Sequence, residues 1–121
     1  MRASFTYGGE GRATGYLYGD VEWPDPLREE GPSVLAEIAS LTDTNWSTVL
    51  FQAYADGTAI TDRHSETMPQ AILSLGATRT LSTDDGDVEL AHGDVIVLDA
   101  NVAHAVPPYP TDDERISLVF R

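Results

Sequence analysis

The chain has 121 residues, no cysteine and a formal net charge of -13, from twenty acidic side chains against seven arginines and no lysine. That length sets one domain with a single core. The absence of cysteine excludes a disulfide scaffold or a thiolate zinc site, and the charge opposes tight non-specific binding to a phosphate backbone, where affinity comes from cations displacing counterions.

No apolar run reaches the roughly 20 residues of a membrane span, and no signal-peptide pattern opens the chain. The expectation is a cytoplasmic domain with no membrane contact. Residues 5 to 19 are rich in glycine and tyrosine, and Tyr16 to Tyr18 alternate as a short strand does. Tyr7, Tyr16 and Tyr18 either stack on a planar ligand or pack as ordinary aromatics. Trp23 and Pro24 open a proline-punctuated loop, and the one helix follows it. Ser33 is its expected cap, and Val34, Leu35, Ile38 and Leu41 form an apolar stripe at helical spacing, the mark of a helix laid on the outside of a sheet.

The next stretch, VLFQAYADGTAITDRHSE, organises the rest. Leu50, Gln52 and Tyr54 point one way and Val49, Phe51 and Ala53 the other, as a half-buried strand requires. Asp56 and Gly57 predict a tight hairpin turn, and Ile60 to His64 the return strand. His64 and Glu66, two residues apart, share a side wherever the chain stays extended. With one histidine from a distant strand they would make a two-histidine, one-carboxylate set that leaves adjacent positions open on ferrous iron. The plain alternative is a solvated histidine beside a solvated glutamate.

Ala71 to Leu75 and Thr78 to Ser82 read as strands around Gly76. Asp84 to Asp87 read as a hairpin tip rather than a calcium loop, because the later glutamate of that loop is missing. Val88 to Leu90 and Val95 to Leu98 are further strands. His104 starts another that two prolines end. Of three histidines, two thus occupy the positions a triad needs, while His92 sits in a polar turn. The last strand, RISLVFR, carries Arg115 and Arg121 on one face, roughly 20 Å apart along the backbone, so that two inward-leaning guanidinium forks leave a gap fitting a short dicarboxylate. Many short strands with one helix predict a mainly β, double-sheet jelly roll. The expected core includes Val49, Phe51, Ile72, Leu98, Leu118 and Phe120.

Six pieces, GYLYGDVEWPDPL, VLFQAYADG, HSE, LSLGATR, ELAHGDVIVLDANVAHAVPP and RISLVFR, resemble in order the AlkB family of iron(II)- and 2-oxoglutarate-dependent dioxygenases, in particular its nucleic-acid repair branch. The resemblance implies a double-stranded β-helix with one or two buttressing helices, residues 1–47 serving as lid and helix and 48–121 as the jelly-roll core. It implies iron held by His64, Glu66 and His104, and 2-oxoglutarate held by Gln52, Tyr54, Arg115, Ser117 and Arg121, with dioxygen as the other cosubstrate. It further implies oxidative demethylation of a modified nucleobase, stacked on Tyr16 and Tyr18, in single-stranded nucleic acid or a nucleotide. The chain departs from the family in several places. Glu66 replaces the usual aspartate, Gln52 stands where asparagine is usual, and Ser117 and Val119 replace asparagine and threonine. Thr67, Met68 and Pro69 stand where the repair enzymes carry base-contacting acids. Two other readings follow from these departures: the same machinery acting on a substrate other than nucleic acid, or a catalytically silent metal- and ligand-binding module.

Overall fold

The computed structural model describes residues 2–6, 14–19, 29–46 and 48–121. Among the described residues, ten strands and one helix follow one another as β1 (Arg2–Thr6), β2 (Thr14–Gly19), α1 (Gly31–Thr42), β3 (Thr48–Tyr54), β4 (Thr61–His64), β5 (Gln70–Gly76), β6 (Arg79–Thr83), β7 (Gly86–Leu90), β8 (Val95–Leu98), β9 (His104–Val106) and β10 (Arg115–Phe120). A six-stranded sheet runs in the order β1-β2-β3-β10-β5-β8 and a four-stranded sheet in the order β4-β9-β6-β7. Pairing is antiparallel throughout. The expected jelly roll is the fold observed, and β1 and β2 extend the larger sheet beyond β3.

The two sheets face each other across an apolar interior. Leu50, Tyr54, Ile72, Leu98 and Val119 of the larger sheet meet Leu81, Leu90 and Val106 of the smaller one. The larger sheet is also covered on its other face. There Val49, Ala71, Leu73, Leu118 and Phe120 pack with Ile38 of α1. This double covering explains why β5 and β10 read as nearly continuous apolar runs, while β3 keeps its alternation. Of the expected core residues all are buried except Phe51, which is half-buried beneath the helix.

Three local expectations are corrected. The helix starts before Ser33, with Glu30 at the cap position and no side-chain cap bond. Pro32 lies in the first turn, where its missing N–H costs nothing. Leu41 is 71% exposed, so the buried stripe is the shorter one of Val34, Leu35 and Ile38.

The third correction concerns the stretch around Asp56. β3 and β4 are not a hairpin, because β3 is already paired on one side with β2 and on the other with β10. The chain crosses there to the opposite sheet. Gly57 serves that crossing through close approach rather than a left-handed turn: its N–H donates to Thr111 O at 2.8 Å, its carbonyl accepts from Tyr109 N at 2.9 Å, and a Cβ would lie 1.6 Å from the Tyr109 carbonyl oxygen. The tip at Asp84 and Asp85 is a true hairpin, with Thr83 opposite Gly86. No described helix is long and apolar enough to cross a membrane.

Candidate metal and anion site

His64 ends β4, His104 begins β9, and the two are Cα partners across the smaller sheet. Their ring centroids are 4.5 Å apart. A register shift within β4 produces this meeting: Thr61 pairs with Val106, yet His64 pairs with His104. Residues three apart on a regular strand face opposite ways, but this bulge turns both Thr61 and His64 into the interior. Each histidine then donates Nδ1–H to a carbonyl two residues back, His64 to Asp62 O at 2.8 Å and His104 to Val102 O at 3.0 Å. That fixes the tautomer and leaves the Nε2 lone pairs available to a metal. Burial is the main cause that holds the His104 imidazole below its ordinary pKa, with the His64 charge acting the same way against the Val102 carbonyl and Glu66. The neutral, ligating form is therefore favoured.

Glu66 lies just beyond β4, its backbone carbonyl accepting from Asn101 N at 2.7 Å. Its Oε1 is 3.9 Å from His64 Nε2 and 3.2 Å from Arg121 Nη2. The three expected ligands thus converge, although among the described residues no three acidic or histidine side chains stand in a closed ligating arrangement. The donor set, two tautomer-fixed imidazoles and one carboxylate, fits a divalent metal that keeps open positions. Arg121 is the surprise, because it holds the proposed metal carboxylate.

The other end of the interior is built by β10. Arg115 is 1% exposed. Its Nε–H donates to Ser74 Oγ at 2.9 Å, its guanidinium lies 5.0 Å over the Tyr54 ring, and its buried Nη1 has no hydrogen-bond partner. Among the described residues no acidic side chain pairs with it. Burial, joined by the Arg79 charge, lowers its pKa against the favourable influence of Tyr54. The Tyr54 hydroxyl is hydrogen-bonded to Thr61 Oγ1 at 2.8 Å and lies 3.4 Å from Gln52 Oε1. Burial raises the Tyr54 pKa despite Arg115 and Thr61, so the phenol stays protonated. Ser117, the Cα partner of both Gln52 and Ser74, completes a polar row across three strands.

One narrow cavity joins both ends. Its lining includes His64, His104 and Arg121 together with Tyr54, Arg115 and Ser117. Its volume is about 20 Å³, room for about one water molecule. Of the residues expected at the site, those of the described interior come together. Tyr16 and Tyr18 have their backbones in β2 opposite Phe51 and Val49, two positions of the helix-covered face, and their side chains lie outside the described residues, as do Tyr7, Trp23 and Pro24. His92 is exposed, and its Nδ1 accepts the Gly76 N–H at 2.9 Å.

Sequence reasoning missed Gln70, Thr61 and Arg79. Gln70 is 3% exposed and lines the cavity at the start of β5, and a lone amide opening an apolar run was the available signal. Arg79, equally buried, donates to the carbonyls of Asp56, Ala59 and Pro107 and lies 5.2 Å over the Tyr54 ring. Its position two residues before Leu81 put it on the core face.

No family model matches the chain, and no curated protein matches it in sequence. Solved structures match in fold. A cupin superfamily protein from Desulfitobacterium hafniense superposes with a TM-score of 0.53 at 13% identity, over 99% of this chain and 75% of the other. An RmlC-like cupin with a double-stranded β-helix fold from Methanocaldococcus jannaschii gives 0.53 at 14% identity, over 60% of this chain and 67% of the other. A conserved protein of unknown function from Streptococcus pyogenes gives 0.51 at 20% identity over 60% of this chain, which spans 61% of that protein's length. These likenesses show the fold alone, a double-stranded β-helix; a tie to the AlkB family is not shown by them.

Proposed function

We propose that this chain is an iron(II)- and 2-oxoglutarate-dependent dioxygenase whose interior holds a metal at His64, His104 and Glu66 and a carboxylate at Arg115. The observation that carries the reading is Arg115: a buried guanidinium without an acidic partner and with an unpartnered Nη1, in the same cavity as the histidine pair. A buried cation of this kind is stabilised by an anionic ligand. Iron, when bound, supplies the redox chemistry that couples oxidation of 2-oxoglutarate by dioxygen to hydroxylation of a second substrate.

The chain's own residues then have distinct tasks. Asp62 and Val102 carbonyls hold the imidazoles with Nε2 toward the interior. Arg115 receives the far carboxylate of the cosubstrate, and the protonated Tyr54 hydroxyl and Ser117 offer further hydrogen bonds. Leu50, Ile72, Leu81 and Val119 wall the cavity, keeping water from the reacting centre. Because the cavity is narrower than the cosubstrate, its entry requires side chains at the mouth, Arg121 among them, to part. For the second substrate the proposal is a modified nucleobase in single-stranded nucleic acid or a free nucleotide, supported by the sequence resemblance and by a charge of -13 that disfavours gripping a duplex. The narrow cavity favours one other reading, a metal-dependent enzyme acting directly on a small carboxylate.

The test is succinate release from 2-oxoglutarate by the iron-loaded chain, with and without methylated oligonucleotides and nucleotides. Iron-dependent succinate formation that disappears in His64→Ala supports the dioxygenase. An iron-loaded protein that neither binds 2-oxoglutarate nor forms succinate overturns it.

A further inference from the structure

We infer that Arg121 couples the two ends of the cavity, holding Glu66 away from the metal position until a ligand carboxylate draws the guanidinium off. The inference rests on the metal and anion reading above. It begins from one oxygen: Glu66 Oε1 lies 3.2 Å from Arg121 Nη2 and 3.9 Å from His64 Nε2. Imidazole and carboxylate donors sit about 2.0 to 2.2 Å from a bound metal, which brings neighbouring donor atoms to about 3 to 3.4 Å of each other. Against that separation the carboxylate stands about 0.5 to 1 Å too far out, and the same oxygen is the one Arg121 bonds.

The arginine is well placed to serve two acceptors. Its backbone is fixed as the continuation of β10, with N–H donating to Thr48 O at 3.0 Å and its carbonyl accepting from Thr48 N at 3.1 Å. Only the side chain therefore has to move. It lines the same cavity as Arg115, so the coupling acts through an anion whose one carboxylate engages Arg115 and whose second engages Arg121. Without that anion, the guanidinium both occupies Glu66 and places a like charge beside the position a dication would take. With it, Glu66 is released toward His64. Linkage makes the effect reciprocal, since whatever factor the anion adds to metal affinity the metal adds to anion affinity. Both partners of the pair are partly exposed, at 23% and 30%, so solvent screening keeps the coupling modest, about fivefold.

The experiment titrates Mn²⁺ calorimetrically into the full chain with and without saturating succinate, a dicarboxylate lacking the chelating keto group. In the unaltered protein succinate should tighten Mn²⁺ binding about fivefold. Arg121→Gln without succinate should already bind Mn²⁺ about fivefold more tightly than the unaltered chain, and succinate should add nothing. Arg63→Gln removes the same unit charge from a guanidinium that bonds Asp84 and Ser82 instead of Glu66, and should keep the succinate effect. Unchanged or weaker Mn²⁺ binding in Arg121→Gln overturns the coupling alone, as does a succinate effect that survives there, which would mean direct ligation of the metal. Absence of Mn²⁺ binding in every protein overturns the metal centre itself and the coupling with it.

Discussion

Replacing Arg115 by methionine separates ligand binding from folding. The side chain is fully buried, bonded through Nε to Ser74 Oγ at 2.9 Å and stacked 5.0 Å over Tyr54, with Nη1 unpartnered. Methionine keeps the length and the apolar stem. The lost hydrogen bond and cation–π contact cost about 1 to 3 kcal/mol together. Removing a desolvated charge with an unpartnered N–H returns about 1 to 3 kcal/mol. The two nearly cancel, so the ligand-free variant should lie within about 1 kcal/mol of the unaltered protein, a Tm shift of no more than about 5 °C for a domain of this size. A buried arginine in a structural ion pair behaves differently, since breaking such a pair costs about 3 to 5 kcal/mol. Ligand affinity, by contrast, should fall sharply, with the 2-oxoglutarate Kd rising tenfold or more, because charge-assisted hydrogen bonds contribute about 1.5 to 3 kcal/mol and tenfold is about 1.4. Chemical denaturation of the ligand-free proteins and calorimetric titration of 2-oxoglutarate measure the two quantities. A loss of more than 3 kcal/mol in stability, with ligand affinity unchanged, would refute the assignment and make Arg115 a framework residue.

His64→Ala and His104→Ala should each abolish stoichiometric Mn²⁺ binding while His92→Ala leaves it intact, and equal loss in all three by calorimetry would misplace the centre. Because burial lowers the His104 pKa in the folded state, the unfolded chain takes up that proton first as pH falls. The stability tied to His104 is therefore fully present above its unfolded pKa of about 6.5 and is lost progressively below it. Urea unfolding of the metal-free protein between pH 7.5 and 5 should show that decline, and His104→Gln should flatten it; an unflattened profile would assign the decline to other groups. Gly57→Ala should destabilise by more than about 2 kcal/mol, as the new methyl would lie 1.6 Å from the Tyr109 carbonyl oxygen; a denaturation midpoint equal to the unaltered protein would contradict that packing.

What the sequence made legible was which side each residue faces. The alternation of Leu50, Gln52 and Tyr54 located the interior correctly, and the six-residue spacing of Arg115 and Arg121 placed both on it. Neighbours were less legible, because alternation names a face and not a partner. The Asp56–Gly57 pair reads as a hairpin turn on its own, and only the prior claim of β2 and β10 on both edges of β3 makes it a crossing between sheets. The bulge that brings His64 opposite His104 leaves no mark in the local letters Thr-Asp-Arg-His, since it arises from pairing with a strand 40 residues away. The Glu66–Arg121 contact joins residues 55 apart in the chain, each of which local chemistry assigns to a different ligand. Pro32, finally, outweighs Ser33 as a helix starter because its fixed φ suits the first turn without any side-chain cap.

The position of β10 bears on how the protein comes into being. It follows every other described strand in the chain, yet it lies inside the larger sheet, between β3 and β5. During synthesis those two strands are made long before the strand that must separate them, and each waits with an unpaired edge. Closing the sheet over such sequence distances is slow relative to local pairing, and exposed edges of that kind invite association with other chains. The same late strand carries Arg115, Ser117 and, just beyond it, Arg121. Closure of the larger sheet and assembly of the buried Arg115–Tyr54 cluster are consequently one event, so the proposed anion site exists in a nascent chain only once β10 has slotted between β3 and β5.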